Sequence, residues 1–237
     1  MTIAVVLFDL DDTLFAHSAA VAHGVLAHRT ALGLPGDDTA ELDRWVALEE
    51  HHYHRYLRGE LGYQQMRRER ARGFVEPHGA ALDDAAADAW FAHYVELYRS
   101  GWMLFDDTLP TLASLPQRLG IITNAERAFQ LGKIEAMQIT GHFEHVVASG
   151  EVGHAKPDPR IFLAAVQRFG VDAAQAAYVG DRLHTDAIGA AEAGLVGIWL
   201  DRNAAASADE LSVAAGAGVH VIHSLADVAG VLGGSAR

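Results

Sequence analysis

The chain has no cysteine. Disulfides and thiolate metal centres are excluded, so a bound metal must be held by carboxylates, histidines or backbone oxygens. A long apolar run is also missing. Half of the residues are hydrophobic, yet nothing approaches the roughly 18 to 20 consecutive apolar residues that cross a bilayer, and no membrane partner is expected. The first apolar stretch is short and has no basic segment before it. No secretory signal is read there, and a cytoplasmic location is expected. Positive charge is the third scarcity: Lys and Arg number 18 against 31 Asp and Glu, a formal net charge of −13. Nucleic-acid binding rests on basic surface and counterion release, so no nucleic-acid partner is expected. An anionic substrate would meet an unfavourable overall field, which local cations must offset.

What is present begins at the N-terminus. Residues 3–8 form an unbroken apolar run rich in branched side chains, ending abruptly in Asp9, Leu10, Asp11, Asp12 and Thr13. This reads as a strand buried on both faces whose carboxyl end opens onto a site, where α/β sheets bind ligands. If the extended path continues, Asp9 and Asp11 direct two carboxylates to one small volume. Such a pair needs a metal ion, a shared proton or a division of labour. The same cluster also serves as an ordinary polar turn or helix cap, so the rest of the chain must decide.

A length of 237 residues allows about one or two domains. From 16 to 100 only helical patterns occur. Leu42, Trp45, Val46, Tyr53, Tyr56 and Leu57 recur at helical intervals, as do Trp90, Phe91, Tyr94, Val95 and Tyr98, and both stripes read as core. Breaks fall at Gly33, Pro35 and Gly36, at Gly59 and Gly62, and at Pro77 and Gly79. His51, His52 and His54 spread around their helix instead of pairing at i and i+4. Arg67, Arg68, Arg70 and Arg72 read as a solvated helix face. After 101 the pattern changes to helices alternating with short apolar strands, the signature of a parallel sheet covered by helices. The reading is a helix over 109–119, then strands over 119–122, 145–148, 176–179, 196–200 and 219–222. A helix over 127–137, another starting near Arg160 and an alanine-rich one stopped by Gly194 lie between them.

Four strand ends then carry polar residues in the same sense: Asp9 and Asp11; Thr123 and Asn124; Lys156; Asp181 and Asp186. Each alone has a plainer use, Thr123 or Asp181 as a helix cap, Lys156 as a surface lysine. A parallel sheet would gather all four along one edge, which turn chemistry does not explain.

In this combination the chain resembles the haloacid dehalogenase superfamily, whose signature is four loops after the strands of a Rossmann-like core. Asp9-Leu10-Asp11-Asp12-Thr13 matches its first motif, Ile122-Thr123-Asn124 its second, Lys156-Pro157-Asp158-Pro159 its third, and Gly180-Asp181 with Asp186 its fourth. The implied fold is α/β, a Rossmann-like parallel sheet over 1–15 and 101–237 with an inserted helical domain over 16–100 similar to the family's alpha-helical cap. The resemblance implies that Asp9 is a nucleophile forming an aspartyl-phosphate and that Asp11 is the general acid and base. For that work Asp11 should hold a proton near neutrality, through burial and its neighbouring carboxylate. Thr123 and the Asn124 region would hold phosphoryl oxygens, and Lys156 would supply fixed positive charge. Magnesium would be bound by Asp9, the Asp11 backbone carbonyl and Asp181, with Asp186 orienting Lys156 or a metal water.

Within the superfamily the acid at Asp11 favours phosphoryl transfer, since a displaced halide needs no proton and an alkoxide does. The implied activity is a magnesium-dependent phosphatase acting on a small soluble phosphomonoester, with the cap as an opening and closing lid. The stretch from Gly180 to Asp186, with Trp199 and Leu200, is reminiscent of members acting on nucleoside monophosphates or sugar phosphates. The alternatives are a phosphomutase on the same core, or a catalytically silent binding protein.

Overall fold

The computed structural model describes residues 2–234. Two compact units emerge, one of residues 2–16 with 103–234 and one of residues 17–102.

The helical unit contains α1 (His17–Ala31), α2 (Asp38–Leu57), α3 (Tyr63–Val75) and α4 (Asp84–Ser100). Asp37 and Asp83 cap α2 and α4 by accepting from the backbone N–H groups of Ala40 and Ala86. Gly33, Gly36, Gly59 and Gly79 have positive φ in the connections, as the predicted breaks require. Trp45, Phe74, Trp90, Phe91 and Tyr94 are buried. The Trp45 indole N–H donates to the Tyr94 hydroxyl at 3.2 Å. Val46, assigned to the same stripe, is exposed.

The arginine run is not the solvated face it resembles. Arg70 is buried, 4.3 Å above the Trp45 ring and ion-paired with Glu49 at 3.0 Å. A guanidinium, planar and weakly hydrated, tolerates such stacking. Arg68 pairs with Asp84 and Asp88, and Arg72 with Asp84 and Glu69.

His28 of α1 is buried edge-on against Trp90 and His93, at ring separations of 4.4 and 4.6 Å. Neither of its ring nitrogens has a hydrogen-bond partner among the described residues. Burial first, and His93 second, push its pKa down to about 4. The unfolded imidazole titrates near 6.5, so between those values the unfolded chain binds the extra proton and folding loses stability as pH falls. The loss amounts to about 3 kcal/mol by pH 4. Urea melts at pH 7 and pH 4 should show His28→Leu losing less stability on acidification than the wild type; equal losses would refute the assignment.

The second unit is built on six parallel strands among the described residues: β1 (Val5–Phe8), β2 (Arg118–Thr123), β3 (His145–Ala148), β4 (Ala176–Gly180), β5 (Val196–Leu200) and β6 (His220–Ile222), in the order β3-β2-β1-β4-β5-β6. Its helices are α5 (Thr108–Ser114), α6 (Arg127–Ala136), α7 (Ser149–Val152), α8 (Pro159–Phe169), α9 (Gly189–Glu192), α10 (Ala208–Gly216) and α11 (Val228–Gly234). The helix expected over 109–119 ends at Ser114. Pro116 disfavours helical geometry at Leu115, whose ψ is 122°, and the chain enters β2 at Arg118. The alanine-rich helix expected after Asp186 is present as the short α9, and a π-helical turn (Leu183–Ile188) that takes in Asp186 runs into it.

β1 is the pivot. It pairs with β2 on one side and β4 on the other, with Phe8 beside both Ile121 and Val179. The chain first winds outward to β3 and then returns to the opposite side of β1, so a switch point opens at the β1 carboxyl end. α8 lays Ile161, Phe162, Ala165, Val166 and Phe169 against Val5, Leu7, Ile122, Val147 and Tyr178. Asp158 caps α8 by accepting from the Arg160 N–H at 2.9 Å, and Pro159 occupies the first turn.

Candidate active site

Ladder pairing stops where polarity begins. The Asp9 N–H still donates to the Val179 carbonyl at 2.8 Å. Asp12 then takes a positive φ of 57°, and its N–H closes a turn onto the Phe15 carbonyl at 2.7 Å. Aspartate is among the few residues that adopt that conformation readily. Arg202, just beyond β5, ion-pairs with Asp107 and donates to the Thr13 carbonyl at 2.7 Å, holding the turn from outside.

Lys156 stands at the centre. Its Nζ donates to Asp9 Oδ1 at 2.6 Å, to Asp186 Oδ1 at 2.7 Å and to the Tyr178 hydroxyl at 2.7 Å, and the residue is only 6% exposed. An ammonium has three N–H bonds, and three acceptors surround it. Tyr178 in turn donates to the Ile122 carbonyl at 3.1 Å. Asn124 braces the lysine from its backbone: its side-chain amide donates to the Lys156 carbonyl and accepts from the Lys156 N–H, at 2.8 and 2.7 Å. That amide, expected in the region holding phosphoryl oxygens, is thus occupied with Lys156.

Asp9, Asp181 and Asp186 each offer a carboxylate oxygen within 4.8 Å of the others. Asp186 is the most enclosed. Its Oδ2 accepts from the Arg182 N–H at 3.0 Å, and a Cβ at Gly180 would lie 2.5 Å from its own Cβ, so only glycine lets it pack there. Asp181 is partly buried, and its carbonyl accepts from the Trp199 indole at 2.8 Å.

Burial pushes the Asp9 carboxyl well above the usual range; Lys156 pulls it down, and Asp186, Asp181 and Asp11 push it further up. Asp181 is raised to about 7, by burial first and then by Asp186 and Asp12. Burial alone would lower the Lys156 ammonium, but Asp186 and Asp9 more than offset that and keep it charged. One lysine among three close carboxylates leaves negative charge in excess. Hard oxygen donors, short of positive charge and close enough to share an ion, fit a divalent cation such as magnesium.

Asp11 meets surroundings unlike those expected. Its side chain is 29% exposed and faces a cation, with Lys133 Nζ 2.6 Å from Oδ1 and Gln130 Nε2 2.8 Å from Oδ2. The backbone leaves the strand at Phe8, so the alternation that would point Asp11 the same way as Asp9 no longer operates. Thr123 is buried, and its hydroxyl accepts from the same Gln130 amide at 2.8 Å.

Sequence reasoning passed over Tyr178, Gln130 and Lys133. A tyrosine inside the apolar run of β4 was the available signal, because a hydroxyl buried on both faces requires a partner. Gln130 and Lys133 are three apart on a helix and share a face, but a solvated helix shows the same spacing.

A profile of haloacid dehalogenase-like hydrolases matches residues 3–194. The chain belongs to that family. As a haloacid dehalogenase-like hydrolase it is 34% identical over 209 residues to the glyceraldehyde 3-phosphate phosphatase of Pyrococcus abyssi, covering 83% of this chain and 81% of that protein. It is 30% identical over 206 residues to the N-acylneuraminate-9-phosphatase of Homo sapiens, covering 84% and 82%. Among solved structures, the HAD-hydrolase YfnB of Bacillus subtilis, crystallised bound to magnesium, superposes with a TM-score of 0.78 at 19% identity over 98% of this chain and 99% of that one. The last likeness is one of fold. Among the described residues, no helix of this hydrolase is long and apolar enough to cross a membrane.

Proposed function

We propose that this hydrolase is a magnesium-dependent phosphatase that cleaves a small phosphomonoester through a phosphoryl group carried on Asp9, with the helical unit as its inserted cap. The observation that carries the reading is the Lys156 ammonium 2.6 Å from Asp9 at the end of the central strand, beside carboxylates of Asp181 and Asp186. Relatives matching over four fifths of their length are named phosphatases of a phosphorylated triose and a phosphorylated sugar acid.

Asp9 and Asp181, with the Asp11 backbone carbonyl, would hold the metal; Asp186, its oxygens engaged by Lys156 and the Arg182 N–H, orients the lysine. When bound, magnesium neutralises charge on the phosphoryl oxygens and on Asp9. The carboxylate of Asp9 attacks phosphorus while Lys156 and the Thr123 hydroxyl stabilise the equatorial oxygens. The ester P–O bond breaks, and Asp11 gives its proton to the departing alkoxide. Asp11 then takes a proton from the water that attacks the phosphoryl group, and inorganic phosphate leaves with Asp9 restored. A halide departs without needing that proton, so an acid at Asp11 favours phosphate esters.

The test is a panel of phosphomonoesters with and without magnesium: triose and hexose phosphates, N-acylneuraminate 9-phosphate, phosphoserine and nucleoside monophosphates. Metal-dependent release of inorganic phosphate from at least one of them is expected, abolished by a chelator. An isomerised ester without free phosphate would make the protein a phosphomutase, and binding without turnover would make it a silent binder.

A further inference from the structure

α6 contributes two polar side chains to the interior, and the reaction as described uses neither. Gln130 is fully buried and Lys133 is 2% exposed. Enclosing a lysine costs desolvation and rotamer freedom unless a partner and a task compensate. Here the ammonium lies 2.6 Å from Asp11 Oδ1, with the rings of Phe15 and Phe129 at 4.8 and 5.3 Å.

The glutamine decides more. Its Nε2 is 2.8 Å from Asp11 Oδ2 and 2.8 Å from Thr123 Oγ1. In its ionised form, before it takes up the proton it delivers, Asp11 only accepts, so the amide nitrogen faces it and its two N–H bonds go to Asp11 and Thr123. Thr123 therefore accepts from Gln130, which leaves its own hydroxyl proton to be donated in another direction. Each oxygen of Asp11 is held by a different side chain, and that fixes the plane of the carboxyl group as well as its position.

We propose that Gln130 and Lys133 are positioning residues for the acid–base step, holding the Asp11 carboxyl in place for the proton it delivers. The inference rests on the phosphatase reading above. A purely structural ion pair tying α6 to the first loop would show the same distances, so the test must follow the proton.

First-turnover release of the leaving group is measured with glycerol phosphate, whose alkoxide needs a proton, and with p-nitrophenyl phosphate, whose phenolate leaves without one. In Lys133→Met and Gln130→Met, release from glycerol phosphate should fall about 10- to 100-fold, within the range of acid–base catalysis and of small misplacements. Release from p-nitrophenyl phosphate should change less than about threefold on the same ground. Lys133→Arg should recover part of the loss, and in an Asp11→Asn background Lys133→Met should add nothing. Equal losses on both esters, no loss on either, or a further loss in that background would overturn the assignment. Melting curves accompany each variant, and Gln130→Met, which removes no charge, carries the test if Lys133→Met does not fold. A wild type that releases neither leaving group overturns the phosphatase reading, and this one with it; a wild type that turns over beside indifferent variants overturns this one alone.

Discussion

Asp9→Asn lowers phosphate release by roughly 10⁴- to 10⁶-fold, the loss that follows removal of a catalytic nucleophile, and leaves the melting temperature within a few degrees of wild type. The two halves of that expectation have different causes. An amide matches the carboxylate in shape but is a poor nucleophile toward phosphorus, so no phosphoryl-enzyme forms. Its oxygen can still accept from Lys156, which also keeps Asp186 and Tyr178 as partners. The substitution removes one negative charge from a buried cluster that carries an excess of them, so folding does not suffer. Phosphate release and calorimetry on one preparation measure both effects, with the intact mass recorded to show that the amide has not reverted. Turnover within tenfold of wild type in protein of the correct mass would remove Asp9 from the mechanism.

How much of this was legible beforehand depended on whether a residue's job was written in its own neighbourhood. All six strands announced themselves as apolar runs between turn residues, since a parallel sheet covered on both faces excludes polar side chains from its interior. Asp9, Lys156 and Asp181 could be named because each follows such a run. Strand order was not legible. It turns on the pairings of β1, between residues more than a hundred positions apart, Val5 beside both Arg118 and Ala176. The brace from Asn124 to Lys156 and the grip of Gln130 on Asp11 span 32 and 119 positions, and their spacing carries no local signal. Arg70 misled for the opposite reason. Four arginines in six positions of an amphipathic helix look solvated, and only the aromatic layer of α2 and α4 shows that one of them lies against Trp45.

Lys156→Met is expected to cost about 3–5 kcal/mol of stability and to reduce turnover by roughly 10²- to 10³-fold, as loss of one fixed group that stabilises transition-state charge does. Methionine matches the length of the lysine stem, so the change is one of charge and donors rather than volume. Asp9 and Asp186 would then lie buried with no cation at 2.6 and 2.7 Å. The sign of the pH dependence follows. Removing the lysine takes away the cation that pulls the Asp9 carboxyl down, so its folded-state affinity for protons, already above that of the unfolded chain, rises further. Stability that depends on its being protonated is present at low pH and is lost as pH rises through the folded value. The variant's deficit relative to wild type should therefore widen between acid and neutral pH. Lys156→Arg retains the charge but replaces a compact three-donor centre with a planar fork, which cannot serve Asp9, Asp186 and Tyr178 from one nitrogen. It should recover stability more fully than turnover. Denaturant melts of both variants across pH 5–8, with phosphate release at each pH, separate the two contributions. A deficit that stays constant or shrinks toward neutral pH would mean that Lys156 is not what pulls the Asp9 carboxyl toward its charged form.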